Sequence, residues 1–168
     1  MQQFISKPVT RENGIERIRP DYYQRNCQAG DRPALWFYAR LARRWLAPEP
    51  VLDFGCGTGS LLRRLRRHLS VADLEQSDYC RSLLSRDLPG AQIFDNLTSL
   101  PAGAIAGVMD LYVFEHIPDA ALFATLAGLR VCLLPQGRLL CVMTDAAGRG
   151  RQLKGERWRG LATQPMST

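Results

Sequence analysis

The segment Val51-Leu-Asp-Phe-Gly-Cys-Gly-Thr-Gly-Ser60 sets a carboxylate, Asp53, just ahead of three alternating glycines, Gly55, Gly57 and Gly59, with Cys56 between the first two. Glycine lets a backbone approach a ligand where a Cβ would collide. A helix beginning after such a loop aims its free N–H groups at the same spot. The dinucleotide fingerprint is G-x-G-x-x-G, whereas this loop reads G-x-G-x-G with Ser60 where the last glycine would fall. Asp53 suits a ligand ammonium and is ill placed for a pyrophosphate. Twenty residues beyond Gly55, Glu75 closes the apolar run Val71–Glu75, and a carboxylate there can accept both hydroxyls of an adenosine ribose. A strand, an acid-led glycine loop, a helix and a second strand with an acidic end together describe a site for a nucleoside-bearing ligand with a cationic end.

Other residue types invite chemistry less directly. Glu115-His116 offers a histidine suited to general-base work; the structural alternative packs His116 or hydrogen-bonds it beneath the ligand loop. Tyr22-Tyr23 reads either as an aromatic lid over the ligand or as ordinary packing. Trp36, Phe37 and Trp45, at helical spacing, read as core or sheet-facing residues. Cys56 is expected to contribute only its backbone, since no activating base stands beside it. The arginines of Arg63–His68 lie opposite Leu61, Leu62, Leu65 and Leu69 on a helical projection, so they read as a solvated face. No aromatic residues interleave them for base stacking. The net charge of +6 and the basic tail Arg149–Gly160 keep nucleic acid in view as a partner, though not the favoured one.

The elements that must position these groups follow from periodicity and punctuation. Residues 1–30 are polar and broken by proline and glycine. Ala34–Leu46 reads as a helix ended by Pro48 and Pro50. Val51–Phe54 is a strand, Ser60–Leu69 a helix, Val71–Glu75 a strand, and Ser77 an N-cap for the helix after it. Ala91–Asp95 is a third strand, a fourth lies near residues 104–112, Ala120–Leu134 is a helix stopped by Pro135-Gln-Gly, and Arg138–Thr144 is a fifth strand. Such alternation implies right-handed crossovers and a parallel, doubly wound sheet. The five cysteines, Cys27, Cys56, Cys80, Cys132 and Cys141, form no CxxC pair, which points to a reducing, cytoplasmic setting without a metal site. No apolar run approaches membrane-spanning length, so no membrane is expected.

These motifs resemble those of class I S-adenosylmethionine-dependent methyltransferases. VLDFGCGTG resembles motif I, and VADLEQS resembles the strand after it, which implies Glu75 on the ribose with Gln76 beside it. IFDNL is similar to the segment whose Asp95 meets the adenine amino group, with Asn96 and Leu97 adjoining. LYVFEHIPD resembles the signature after strand four, implying that Asp110 and Leu111 border the cofactor. LLPQGRLLCVMT resembles the turn and fifth strand, and GERWRG the G-x-R-W of a subgroup with small-molecule and quinone O-methyltransferases. The likeness runs through residues 34–160 in order. It implies an α/β, Rossmann-like, mostly parallel sheet of strand order 3-2-1-4-5, with S-adenosyl-L-methionine as cofactor and S-adenosyl-L-homocysteine as product. It further implies a binding domain at 34–168, preceded by a segment 1–33 that brings Tyr23 over the cofactor as a lid.

The departures carry expectations too. Ala106 replaces an aspartate opening strand four, Gln136 replaces the first glycine of the turn, and Tyr112 stands where a metal-binding E-x-x-E-H would begin, so no metal is expected. The last 24 residues hold no further strand, so strands 6 and 7 are expected to be absent or truncated. The fifth strand would then be an exposed edge and a route to a homodimer. The function these features imply is methyl transfer to oxygen, nitrogen or carbon of a small-molecule acceptor. An RNA or protein methyltransferase, and a cofactor-binding but inactive subunit, are the rival readings.

Overall fold

The computed structural model describes residues 9–12, 15–18, 23, 33–46 and 50–143. Strands β1 (Val9–Glu12) and β2 (Ile15–Ile18) pair antiparallel, with Val9 opposite Ile18. Helix α1 (Pro33–Trp45) leads to β3 (Val51–Phe54), α2 (Leu62–Leu65), β4 (Val71–Leu74), α3 (Asp78–Asp87) and β5 (Gln92–Phe94). Then follow β6 (Ile105–Leu111), α4 (Asp119–Cys132) and β7 (Leu133–Val142). Strands β3 to β7 form one parallel sheet in the order β5-β4-β3-β6-β7, which is the expected 3-2-1-4-5.

Central strands buried on both faces must be apolar on both, and all four residues of β3 are buried. Leu52, Phe54, Ala72, Leu74 and Val108 pack on one face beneath Leu129 and Cys132 of α4. Val51 and Met109 pack on the other beneath Leu35, Ala39 and Ala42 of α1 and Leu61 and Leu65 around α2. Ser77 caps α3 as expected, its hydroxyl accepting from the Cys80 N–H.

Several expectations need correcting. The helix after the glycine loop is regular only over Leu62–Leu65, and its flanks are tighter turns such as His68 N–H to Leu65 C=O. Helix α4 stops at Cys132 and β7 starts at Leu133, because Leu133 pairs with Ile105 before an irregularity resets the register to Gly107 with Arg138. Trp36, Phe37 and Trp45 are exposed, at 60%, 60% and 50%, because the buried stripe of α1 is its small face, Leu35, Ala39 and Ala42. Arg64 is not solvated but buried, its guanidinium 4.2 Å from the Trp36 ring centroid. The β1–β2 pairing was unforeseen, although Asn13-Gly14 between the two strands is a strong hairpin signal. The tail with GERWRG lies outside the described residues.

Candidate active site

The carboxyl ends of the parallel strands gather most of the predicted residues. This is the end at which open α/β sheets bind ligands, near the point where strand order reverses; here that point lies between β3 and β6. Gly55, Gly57 and Gly59 all take left-handed backbone, at φ 73°, 56° and 77°. At two of them the reason is internal packing: a Cβ on Gly55 would lie 2.6 Å from a Val113 methyl, and one on Gly59 would lie 2.4 Å from a Leu84 methyl.

Glu75 braces the loop. Its Oε2 accepts from the Gly57 N–H and its Oε1 from the Ser77 N–H, both at 2.8 Å. Burial raises its carboxyl above the ordinary range, opposed by those hydrogen bonds and by Arg81, whose guanidinium donates to the Glu75 carbonyl at 2.8 Å. Gln76 adds a further backbone contact to the carboxylate, which still has lone-pair capacity for a ligand. Gln76 is exposed beside it. Tyr23 is buried, stacked on Tyr79 at 6.1 Å, close enough for its phenol to be pushed up first by burial and then by Glu75. It is packed into the start of α3; Tyr22 lies outside the described residues.

Asp53 sits under the loop at 2% exposure, and its Oδ2 is buried without a hydrogen-bond partner among the described residues. Burial raises its pKa to about 7, helped by Glu75 and Asp110. Sequence reasoning missed its neighbour. Asp73 is Asp53's register partner on β4, wholly buried, and both its oxygens lack a hydrogen-bond partner among the described residues. Burial and then Asp53 raise its pKa to about 9, against the pull of Arg66. The available signal was an aspartate inside the apolar run VADL.

The remaining residues divide. Asp95 is exposed at the end of β5 and accepts from the Asn96 side-chain amide at 2.7 Å; Asn96 caps a single 3-10 turn at Leu97–Ser99. Leu97 packs against the α4-side core, and Leu111 against the α1-side core. Asp110 faces inward: Oδ1 accepts from Val113 and Phe114 N–H at 3.2 and 3.1 Å, and Oδ2 from the Cys141 thiol at 2.8 Å. It therefore anchors the loop after β6. That loop holds Tyr112 at φ 62°, a conformation that costs a non-glycine residue about 1–2 kcal/mol. Cys56 is partly buried and its thiol is pushed well up, first by burial and then by Asp53, so its loop role is through the backbone. His116 lies on a second 3-10 turn with its side chain 41% exposed, 3.6 Å from the Glu115 carboxylate. It is not packed beneath the glycine loop but stands at the surface.

Residues 23–166 match the family described as a methyltransferase domain. The chain belongs to that family. This methyltransferase domain is 35% identical over 75 residues to an uncharacterized methyltransferase of Exiguobacterium sibiricum, covering 44% of this chain and 35% of that protein. Among solved structures it resembles S-adenosylmethionine-bound CalS10, an amino pentose methyltransferase from Micromonospora echinaspora. The TM-score is 0.63 at 21% identity, over 82% of this chain and 61% of that one. It also resembles the sugar N-methyltransferase KedS8 from Streptoalloteichus, with TM-score 0.62 at 20% identity, over 89% and 62% of the two chains. The domain thus spans about a third of that curated relative and three fifths of those structures.

The family's methyl donor is S-adenosylmethionine, and the residues present fit it. A buried carboxylate oxygen without a donor, in a cluster of acids held partly protonated by burial and mutual repulsion, is suited to a ligand that brings an ammonium and a sulfonium. Among the described residues no helix is long and apolar enough to cross a membrane. Two of the arginines of Arg63–His68 have partners within the chain: Arg63 donates to the Thr58 carbonyl at 2.8 Å and pairs with Asp87 at 3.3 Å, and Arg64 lies over the Trp36 ring.

The acid pair predicts a pH dependence. In the unfolded chain both aspartates titrate near 4, whereas folded they titrate at about 7 and 9. The folded state therefore binds more protons between those values, and stability present at pH 4 is lost as pH rises, at up to about 1.4 kcal/mol per pH unit for each group. Asp73→Asn should flatten the loss between pH 7 and 9 and roughly halve it between pH 4 and 7, where both aspartates contribute. Urea midpoints at pH 5, 7 and 9 check this; identical pH 7–9 slopes in both proteins would refute it.

Proposed function

We propose that this domain transfers a methyl group from S-adenosylmethionine to a small-molecule acceptor. The observation that supports this most is the acidic rim of the glycine loop, where Glu75 braces Gly57 while Asp53 keeps a buried oxygen unpartnered. In this reading Glu75 accepts the ribose hydroxyls, Tyr23 and Gln76 flank the adenosine, and Asp95, Asn96 and Leu97 border the adenine. Asp53 faces the ammonium through the backbone of Gly55, Cys56, Gly57 and Gly59. Asp110 and Leu111 shape the methionine side, Asp110 by holding the loop after β6. The bound donor supplies a methyl on a sulfonium, whose charge is lost in the transfer. The chain's task is then alignment, which can account for about 7–11 kcal/mol of a barrier. In this reading His116, exposed beside Glu115, takes a proton from a hydroxyl or amine acceptor.

The small-molecule reading is supported by the likeness to CalS10, an amino pentose methyltransferase, and to KedS8, a sugar N-methyltransferase. The free thiols of Cys56, Cys80, Cys132 and Cys141 are in keeping with a cytoplasmic location. Calorimetry with S-adenosylhomocysteine, followed by a methyl-transfer assay over phenols, amines, carboxylates and RNA, tests the proposal. Cofactor binding with transfer only to RNA would overturn the small-molecule half, and absence of binding the whole. Self-association through β7 belongs to the same reading: its exposed Leu134 and Leu139 predict a concentration-dependent dimer by sedimentation, weakened by Leu139→Lys. A wild-type monomer at every concentration would remove it.

A further inference from the structure

We infer that Tyr112, held in place by Tyr38, is the acceptor-positioning residue, and that the acceptor it selects is a hydroxyl-bearing ring compound without an acidic group. This rests on the methyl-transfer reading above and adds to it the class of acceptor. The placement follows from the sheet. With strand order β5-β4-β3-β6-β7, the proposed adenosine contacts Glu75 and Asp95 lie at the ends of β4 and β5, and Asp53 lies on β3. These assignments leave the loop after β6 and the end of β7 for a second substrate, next to the place where a Cβ on Gly55 would meet Val113.

Tyr112 occupies that place. Its N–H donates to the Val142 carbonyl at 2.8 Å, tying it to the end of β7. On its other side Val113 and Phe114 donate to Asp110. Held from both sides, Tyr112 keeps its left-handed backbone, an outlier for a bulky residue that recurs where a site fixes a side chain against its preference. The side chain is 39% exposed rather than buried for packing. From α1, the Tyr38 hydroxyl meets the Tyr112 hydroxyl at 2.6 Å, and the rings lie edge to face at 6.2 Å. Phe37, exposed at 60%, continues the wall edge to face with Tyr38 at 5.7 Å.

The chemistry of this wall restricts its ligand. Burial, the Tyr38 hydrogen bond and the Glu115 carboxylate push the Tyr112 phenol up to about 12, so it is neutral at physiological pH. One hydroxyl donates to the other, which leaves one O–H and the remaining lone pairs facing outward. Three ring faces and edges with a neutral hydroxyl suit a hydroxylated ring. The charge acting on Tyr112 is the negative Glu115, which disfavours a carboxylate or phosphate ester and tolerates an amine.

The test uses the full chain with S-adenosylhomocysteine present and saturation-transfer NMR. Catechol and glucosamine serve as non-acidic probes, with salicylate and glucuronate as their acidic counterparts. The wild type should bind catechol and glucosamine and reject the acids. Tyr112→Phe and Tyr38→Phe, which keep the rings, should each weaken probe binding about three- to ten-fold, the loss of one hydrogen bond. Calorimetry should give unchanged S-adenosylhomocysteine affinity in both variants. Equal binding of the acidic probes, no binding of any probe, or loss of cofactor affinity alongside probe affinity in the Phe variants would each overturn the inference. A wild type that fails to bind S-adenosylhomocysteine would instead sink the methyl-transfer reading itself.

Discussion

Glu75→Ala should cost the domain both its cofactor and part of its fold. The two N–H groups on its carboxylate belong to the glycine loop and to the start of α3, so one side chain ties together the elements on either side of the cleft. Hydrogen bonds to a charged group are each worth about 1.5–3 kcal/mol. Removing Glu75 strands two donors while relieving the burial that raises its own carboxyl. We expect a net loss of about 2–3 kcal/mol in stability and a ten- to hundred-fold loss of S-adenosylhomocysteine affinity, about 1.4–2.7 kcal/mol. Glu75→Gln should fall between, because its amide can accept from one N–H but opposes the other with a donor. Urea denaturation and calorimetry on the same samples separate the two effects. Full affinity in a destabilised Glu75→Ala would leave Glu75 a structural brace and move the ribose contact elsewhere.

Gly55→Ala should be the most damaging single methyl group in the domain. At φ 73° any Cβ is strained, and this one would meet Val113 Cγ2 at 2.6 Å, Cγ1 at 2.9 Å and Cβ at 3.3 Å. A β-branched side chain cannot swing aside from three such contacts, so the loop after β6 must retreat. Left-handed strain of about 1–2 kcal/mol and overpacking of about 1–3 kcal/mol give an expected loss of about 2–4 kcal/mol. Adding Val113→Ala removes the two methyls and should restore the packing part while leaving the backbone part. A double-mutant cycle by chemical denaturation reads this as a coupling between the two sites. If the double variant is no more stable than additivity allows, Val113 is not what requires glycine at this position. Because Val113 adjoins Tyr112, the variant should also disturb the acceptor side of the cleft.

Much of this domain is written in local pattern. The apolar runs Val51–Phe54 and Val71–Leu74, the alternating glycines and the Ser77 cap are signals of a few residues each, and parallel strands joined by helices admit few topologies. Strand order and the place of Glu75 were therefore legible in the chain. The misreadings have one physical source: which way a side chain faces depends on neighbours distant in sequence. Helical spacing made Trp36, Phe37 and Trp45 core candidates, yet α1 buries Leu35, Ala39 and Ala42, small enough to bring the helix close to the sheet. The reason for glycine at Gly55 and Gly59 also lies in packing, since a Cβ there would meet Val113 and Leu84, which are 58 and 25 residues away. Asp110 stands in the sequence as a carboxylate near a strand end, and only the fold gives it Cys141 and the turn at Val113 and Phe114 as partners. Asp73 was passed over until the register set it beside Asp53, and Tyr112 gained a role only when α1 brought Tyr38 to its hydroxyl across 74 positions. Local pattern determined the elements and the glycine loop, because those depend on backbone conformation. The acid pair beneath the loop and the phenol pair beside it were decided by tertiary packing, because burial and side-chain pairing exist only after distant segments meet.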